Sequence, residues 1–208
     1  MGEFEMIKII GLTGPSGAGK TTLCEIATRL GIKSIDADAV YHDLLIPPSE
    51  CLCEIASVFG CNILDSDGTL NRASLASIVF DPGDKEKKML GKLNKITHKY
   101  VLAKIREIIR ESELNGEEMI IVDAPALYES GFDKECCAVI CLIADISTRL
   151  DRIIKRDNIS GARANERLRG QSSDEFYSSR ADFVIANNGD TKQMENELSK
   201  IITKIKNS

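Results

Sequence analysis

The 208-residue sequence has no basic surplus, only two histidines, no C-x-x-C pair and no long apolar run. Each absence removes a class of function. A net charge of −5 argues against general nucleic-acid binding, which needs a basic surface, while leaving room for a local basic site. No stretch reaches the roughly 18 consecutive apolar residues of a membrane span. The opening Met1-Gly2-Glu3-Phe4-Glu5-Met6 is acidic and carries neither a signal-peptide pattern nor a myristoylation signal, so a cytoplasmic protein is expected. The seven cysteines are odd in number, and Cys51, Cys53, Cys136 and Cys137 lack metal-binding spacing; reduced thiols are the better account. No serine or cysteine has a histidine partner with triad logic, and His42 and Cys24 join no constellation.

What is present is ordinary in bulk: 43% hydrophobic and 28% charged residues suit one soluble domain with room for an insertion. The informative feature is local. Gly14-Pro15-Ser16-Gly17-Ala18-Gly19-Lys20-Thr21-Thr22 follows the apolar run 7–12 and opens the amphipathic stretch 23–30. Strand, glycine loop and helix form the context in which G-x-x-x-x-G-K-[ST] cradles a phosphate. Glycines let successive backbone N–H groups turn inward, and a helix starting near Gly19 aims its positive dipole end there. Lys20 adds charge over the β and γ phosphates, and the Thr21 hydroxyl suits the accompanying Mg²⁺. The motif predicts nucleoside triphosphate binding.

Five apolar runs, at 7–12, 33–35, 119–122, 138–143 and 183–186, read as buried strands separated by helical patterns. The expected class is α/β, an open parallel sheet with its crevice beyond the strands' carboxyl ends. More than 80 residues lie between the second and third runs, far more than one crossover needs. Helical spacing is predicted at 51–59, at 73–80 and from Lys85 to about Glu113, with a turn at Asp81-Pro82-Gly83-Asp84. This insertion is either an acceptor-binding subdomain or a docking surface.

Several side chains fit phosphoryl-transfer chemistry. Asp36 and Asp38 follow the second strand, where one could take a proton from an acceptor hydroxyl or help hold Mg²⁺; a helix cap is the bland alternative. Asp123 ends the third strand, as a metal-facing acid or a turn aspartate. Glu129 contacts substrate or water. From Arg149 to Gln171 the chain is locally basic, with an excess of +4. Arg152 and Arg156 share one helix face, Arg163 and Arg167 another, and Asn158-Ile159-Ser160-Gly161 between them reads as a hinge. A mobile arginine-bearing lid or a solvated face accounts for this. His98 lies near the apolar edge of the long helix, where packing competes with function.

Taken together the motifs resemble the dephospho-coenzyme A kinase family over about residues 7–201. The carriers are the loop, Ile35-Asp36-Ala37-Asp38, Phe59-Gly60, Asp67-Gly68-Thr69-Leu70-Asn71-Arg72, His98, Asp123-Ala124-Pro125, Arg156-Asp157, Gln171, Ala181-Asp182 and Asn187-Asn188-Gly189. The resemblance implies a P-loop three-layer fold with a five-stranded parallel sheet: a nucleotide core at 1–60, 115–156 and 171–208, a helical acceptor subdomain at 61–114 and a lid at 157–170. It implies transfer of the ATP γ-phosphate to the 3′-hydroxyl of dephospho-coenzyme A, with Mg²⁺ accompanying ATP. The expected catalytic residues are Asp38 (the base), Lys20 and Arg156. Gly14, Gly17, Ala18, Gly19, Lys20, Thr21, Thr22, Arg152, Arg167 and Asn187 are expected around ATP. Asp38, Arg72, His98, Leu127 and Glu129 are expected around the acceptor, and Thr21 and Asp123 at the metal. No nucleic-acid or membrane partner is expected, and the chain is expected to be a monomer or weak homo-oligomer. Two departures stand out: Pro15 occupies a usual glycine position, and Lys99 stands where proline usually follows the histidine. Another small-molecule or nucleotide kinase, or a non-catalytic nucleotide switch, remains the alternative.

Overall fold

The computed structural model describes residues 6–81, 83 and 87–207. Among these, β1 (Lys8–Thr13), β2 (Lys33–Asp36), β3 (Met119–Asp123), β4 (Ala138–Ile143) and β5 (Phe183–Ala186) form one parallel sheet in the order β2-β3-β1-β4-β5. The apolar runs are continuous because both faces of the central strands are covered. On one face Ile10, Leu12, Ile121, Ile140 and Ile185 share a core with Leu23 and Ile26 of α1 (Lys20–Arg29) and with Met194, Leu198 and Ile202 of α10 (Thr191–Lys206). On the other face a methyl group added at Gly11 would come within 2.9 Å of Leu127, so β1 has a glycine where that side chain presses in.

The described chain divides into two compact units, one comprising residues up to Asp36 and from Glu111 onward, the other Ala37–Arg110. The sheet belongs to the first, as do α6 (Leu127–Ser130), α7 (Ile146–Asp157), α8 (Gly161–Arg169) and α9 (Asp174–Ser178). The second holds α2 (Ala37–Asp43), α3 (Glu50–Phe59), α4 (Arg72–Val79) and most of α5 (Lys88–Leu114). The helical unit thus begins at residue 37, where the sequence suggested 61. The reason is a core of its own: Cys51, Leu52, Ile55 and Phe59 of α3 pack with Leu75, Val79 and Ile96. Residues 111–114 instead go with the sheet, because Lys33 donates to the Ser112 hydroxyl (2.9 Å) and the Ile7 amide to Glu113 (3.3 Å). The acidic start before Met6, the predicted helix start at Lys85, and Pro82 and Asp84 of the predicted turn lie outside the described residues.

Local chemistry explains the distinctive motifs. In Asp67-Gly68-Thr69-Leu70-Asn71-Arg72, Asp67 accepts from the Thr69 amide (3.0 Å) and hydroxyl (2.6 Å), closing a turn. Asn71 then accepts from the Ser74 amide at 2.9 Å as the N-cap of α4, while its own amide group donates to Asp65 at 2.8 Å. In the late motif, Asp182 accepts from the Val139 amide at 2.8 Å and so sets β5 against β4. This delivers Asn187 to the carboxyl edge of the sheet, immediately after β5.

Candidate active site

The phosphate-loop sequence folds as a tight turn between β1 and α1, with the Ala18 amide donating to the Pro15 carbonyl at 3.2 Å. Gly14 and Gly19 show why the loop needs glycine. Gly14 has a φ of 138°, and a methyl group there would lie 2.1 Å from the Leu142 carbonyl oxygen. Gly19, the N-cap of α1, has a φ of 102°, and a methyl group there would lie 2.3 Å from the Asn187 amide nitrogen. Having no side chain, Gly19 supplies no capping oxygen, so the first-turn N–H groups of Lys20, Thr21 and Thr22 keep their appetite for an anion. Lys20 Nζ donates to the Gly14 carbonyl at 3.0 Å, which holds its ammonium group over the loop.

The loop is gripped by groups distant from it in the chain. Arg152, expected to meet ATP, donates to the carbonyls of Gly17 (3.2 Å), Ala18 (3.3 Å) and Asn187 (3.1 Å). Asn187, expected beside ATP, is buried and donates to the Ala18 carbonyl at 2.7 Å. Arg152 also donates to the Asn187 side-chain oxygen at 3.3 Å, so the two together hold the loop carbonyls and shape the cradle. Arg149 is 4% exposed, although composition alone suggested a solvated or lid position. Its guanidinium donates to the Ser16 carbonyl (3.1 Å), Asp174 (2.7 Å) and Gln171 (3.1 Å). The local charge excess gave no hint that one of its arginines was a core brace. Thr13, just before Gly14, is also buried, and its hydroxyl has no hydrogen-bond partner among the described residues.

At the other flank, Asp123 is buried at the carboxyl end of β3, in register with Leu12 of β1 and Asp36 of β2. The Cys24 thiol reports this neighbourhood. Its pKa is pushed up to about 12, first by burial and then by the Asp123 charge, with Asp36 adding to the rise and Lys20 opposing it. Two carboxylates and the loop lysine therefore act on one region of the sheet's carboxyl edge. Thr21 and Asp123 offer hard oxygen donors, the kind Mg²⁺ prefers. Among the described residues no three His, Cys, Asp or Glu side chains converge on a metal position, so a metal here would draw its other ligands from phosphate and water.

The basic segment forms two helices with Asn158 between them in the left-handed region (φ 50°) and Ser160 capping α8. Arg156 and Arg167 converge on one carboxylate. Arg156 donates to both oxygens of Asp157 (2.8 and 3.0 Å), and Arg167 pairs with the same group. The hydrogen bond from Arg156 holds the Asp157 carboxyl below its usual range and lifts the Arg156 guanidinium above its own. Arg156 also approaches the Ser16 hydroxyl at 3.4 Å.

Other predicted residues fall in different settings. Leu127, expected at the acceptor, has its side chain fully buried, packed over Gly11. Glu129 is exposed in the first turn of α6. In the helical unit, Asp38 is exposed and lies inside the first turn of α2, two residues beyond β2. Arg72 meets His42 Nδ1 at 3.0 Å, and His98 is half-buried on α5. Lys99, the departure beside it, donates to Glu54 at 2.6 Å, and Glu54 also accepts from the Tyr100 hydroxyl at 2.7 Å. Lys99 thus ties α5 to α3.

A family model described as dephospho-CoA kinase matches residues 8–193 of this chain. The dephospho-CoA kinase of Fusobacterium nucleatum subsp. nucleatum is 37% identical over 188 residues, covering 90% of this chain and 93% of its own. Among solved structures, a dephospho-CoA kinase from Campylobacter jejuni is 31% identical with a TM-score of 0.59, over 96% of this chain and 98% of that one. TT1252 from Thermus thermophilus is 25% identical with a TM-score of 0.78, over 95% and 97%.

Proposed function

The chain belongs to the dephospho-CoA kinase family, and from that premise we propose how its residues divide the work of phosphorylating dephospho-CoA with ATP. The turn at Gly14–Gly19 and the first turn of α1 grip the β and γ phosphates. Lys20 trades the Gly14 carbonyl for phosphate oxygens. Thr21 and Asp123 would hold the Mg²⁺ that accompanies ATP, which would supply charge neutralisation on the phosphates. Arg156 and Arg167 exchange Asp157 for the phosphates as the lid, residues 157–170, comes down and excludes water.

Asp38 orients the 3′-hydroxyl of the acceptor ribose and receives its proton. Arg72, His98 and Glu129 receive the remainder of the acceptor. Because the transition state of phosphoryl transfer is loose, the hydroxyl loses its proton late, and charge neutralisation carries more of the barrier than the base does. Arg152 and Asn187 act one step back, by holding the loop carbonyls away from the incoming phosphates. We read the enzyme as cytoplasmic, a monomer or weak homo-oligomer without nucleic-acid or membrane partners; no described helix is long and apolar enough to cross a membrane.

The observation that carries this reading is the glycine turn at an α1 N-terminus whose cap has no side chain to offer. The test is ADP release measured across dephospho-CoA, nucleosides and nucleoside monophosphates. Release matched one-to-one by coenzyme A and confined to dephospho-CoA is the expected result. Equal turnover of another acceptor class, or release without any acceptor, contradicts the assignment.

A further inference from the structure

Ser16 stands at the front corner of the phosphate loop, and each of its polar groups faces the segment that carries the lid. Its amide donates to Gln171 Oε1 at 3.0 Å, and its carbonyl accepts from Arg149 Nε at 3.1 Å. Its hydroxyl accepts from Arg156 Nη2 at 3.4 Å. Gln171 Oε1 is shared, because Arg149 Nη2 also donates to it at 3.1 Å. Arg149 in turn is fixed by Asp174, at the start of α9.

The chain positions of these groups give the cluster its meaning. Arg156 is the penultimate residue of α7, just before the Asn158 hinge. Gln171 lies just after α8 and Gly170. The two ends of the lid therefore meet on one loop residue, the entrance through its hydroxyl and the exit through its amide. Arg149 is almost completely buried, so it is the fixed point of this cluster, about which Ser16 and Gln171 can shift.

We propose that Ser16, Arg149 and Gln171 couple the lid to the phosphate loop, with Arg149 and Gln171 as positioning residues for ATP. This rests on reading the loop as the ATP site and residues 157–170 as the lid. When the lid moves, Gln171 moves with its exit and turns the Ser16 peptide. When phosphates settle into the loop, the same peptide pulls on the lid. Coupling of this kind is reciprocal, so whatever the lid contributes to ATP affinity, ATP returns as lid order.

The experiment uses the full-length chain and two readouts. One is the affinity for MgATP by calorimetry; the other is tryptic cleavage at Arg163, Arg167 and Arg169 with and without the non-hydrolysable analogue AMP-PNP. Gln171→Ala removes the shared oxygen and is expected to weaken MgATP on the order of 5-fold, as the loss of one or two hydrogen bonds does. Protection of the lid by the analogue is expected to fall in step, with the KM for dephospho-CoA unchanged. Gln171→Glu keeps an oxygen acceptor and is expected to restore protection at saturating analogue. Wild-type affinity and protection in Gln171→Ala overturn the coupling. So does a lower melting temperature with both readouts intact, since that marks a merely structural brace. If the wild-type chain itself does not bind MgATP, the ATP-site reading fails first and the coupling falls with it.

Discussion

Lys20 and Arg156 each begin with a partner that a substrate must displace. Lys20 sits on the Gly14 carbonyl, and Arg156 sits on Asp157. Both are cations kept near the loop without being neutralised beyond reach. An arginine acting on transferring phosphate is worth about 10³–10⁵ in rate, whereas a positioned base gives about 10²–10⁴. Lys20→Ala and Arg156→Ala are therefore expected to lower kcat at saturating substrates at least as much as Asp38→Asn. Near wild-type turnover in Asp38→Asn would remove its role as base. Asp157 adds a pH argument. Its folded pKa is depressed by Arg156, so the stability it lends is complete above the unfolded value and fades only as pH falls through the folded one. A pH–rate profile between about 6 and 9 is expected to carry no inflection removable by Asp157→Asn. Such an inflection, if found, would show that Asp157 does not stay ionised.

At the scale of elements, the sequence disclosed what depends on local chemistry. The loop followed from glycine spacing after an apolar run, and the strands followed from that apolarity. What lay hidden depends on partners distant in the chain. The buried state of Arg149 rests on Ser16, Gln171 and Asp174, and no pattern around residue 149 encodes them. Likewise the packing of the Leu127 side chain over Gly11 joins residues far apart in the chain, which its motif position does not encode. Two substitutions test the element-level account. Gly19→Ala meets strain of about 1–3 kcal/mol for a non-glycine residue at positive φ, and its methyl group also collides with Asn187. MgATP affinity is expected to drop by an order of magnitude or more with the fold intact by circular dichroism; unchanged affinity would remove the loop geometry from the argument. Asn71→Ala uncaps α4 and is expected to cost about 1 kcal/mol, read as a lower midpoint in urea, with Asn71→Asp recovering most of it.

For the whole molecule, the expected insertion is a helical unit with its own core, beginning at residue 37, in which α3 packs with α4 and α5. Apolar spacing revealed its helices, yet spacing cannot say which neighbour a helix chooses, so the boundary was not legible. Two half-buried thiols add a global property. Cys24 and Cys136 are both pushed up to about 12, chiefly by desolvation. Unfolded thiols ionise near 9.0, so above that pH the unfolded chain sheds protons that the folded chain retains. Stability is expected to fall steadily from about pH 9 toward 12, more gently in Cys24→Ala, as measured by urea unfolding at a series of pH values.

The most direct test of the central claim is calorimetric titration of ATP into the wild-type chain and into Lys20→Ala, each with and without Mg²⁺. Saturable binding that strengthens with Mg²⁺ in the wild type and is largely lost in Lys20→Ala is the expected result. Equal affinity in both proteins, or none that depends on Mg²⁺ in either, would contradict a phosphate cradle at Gly14–Thr21.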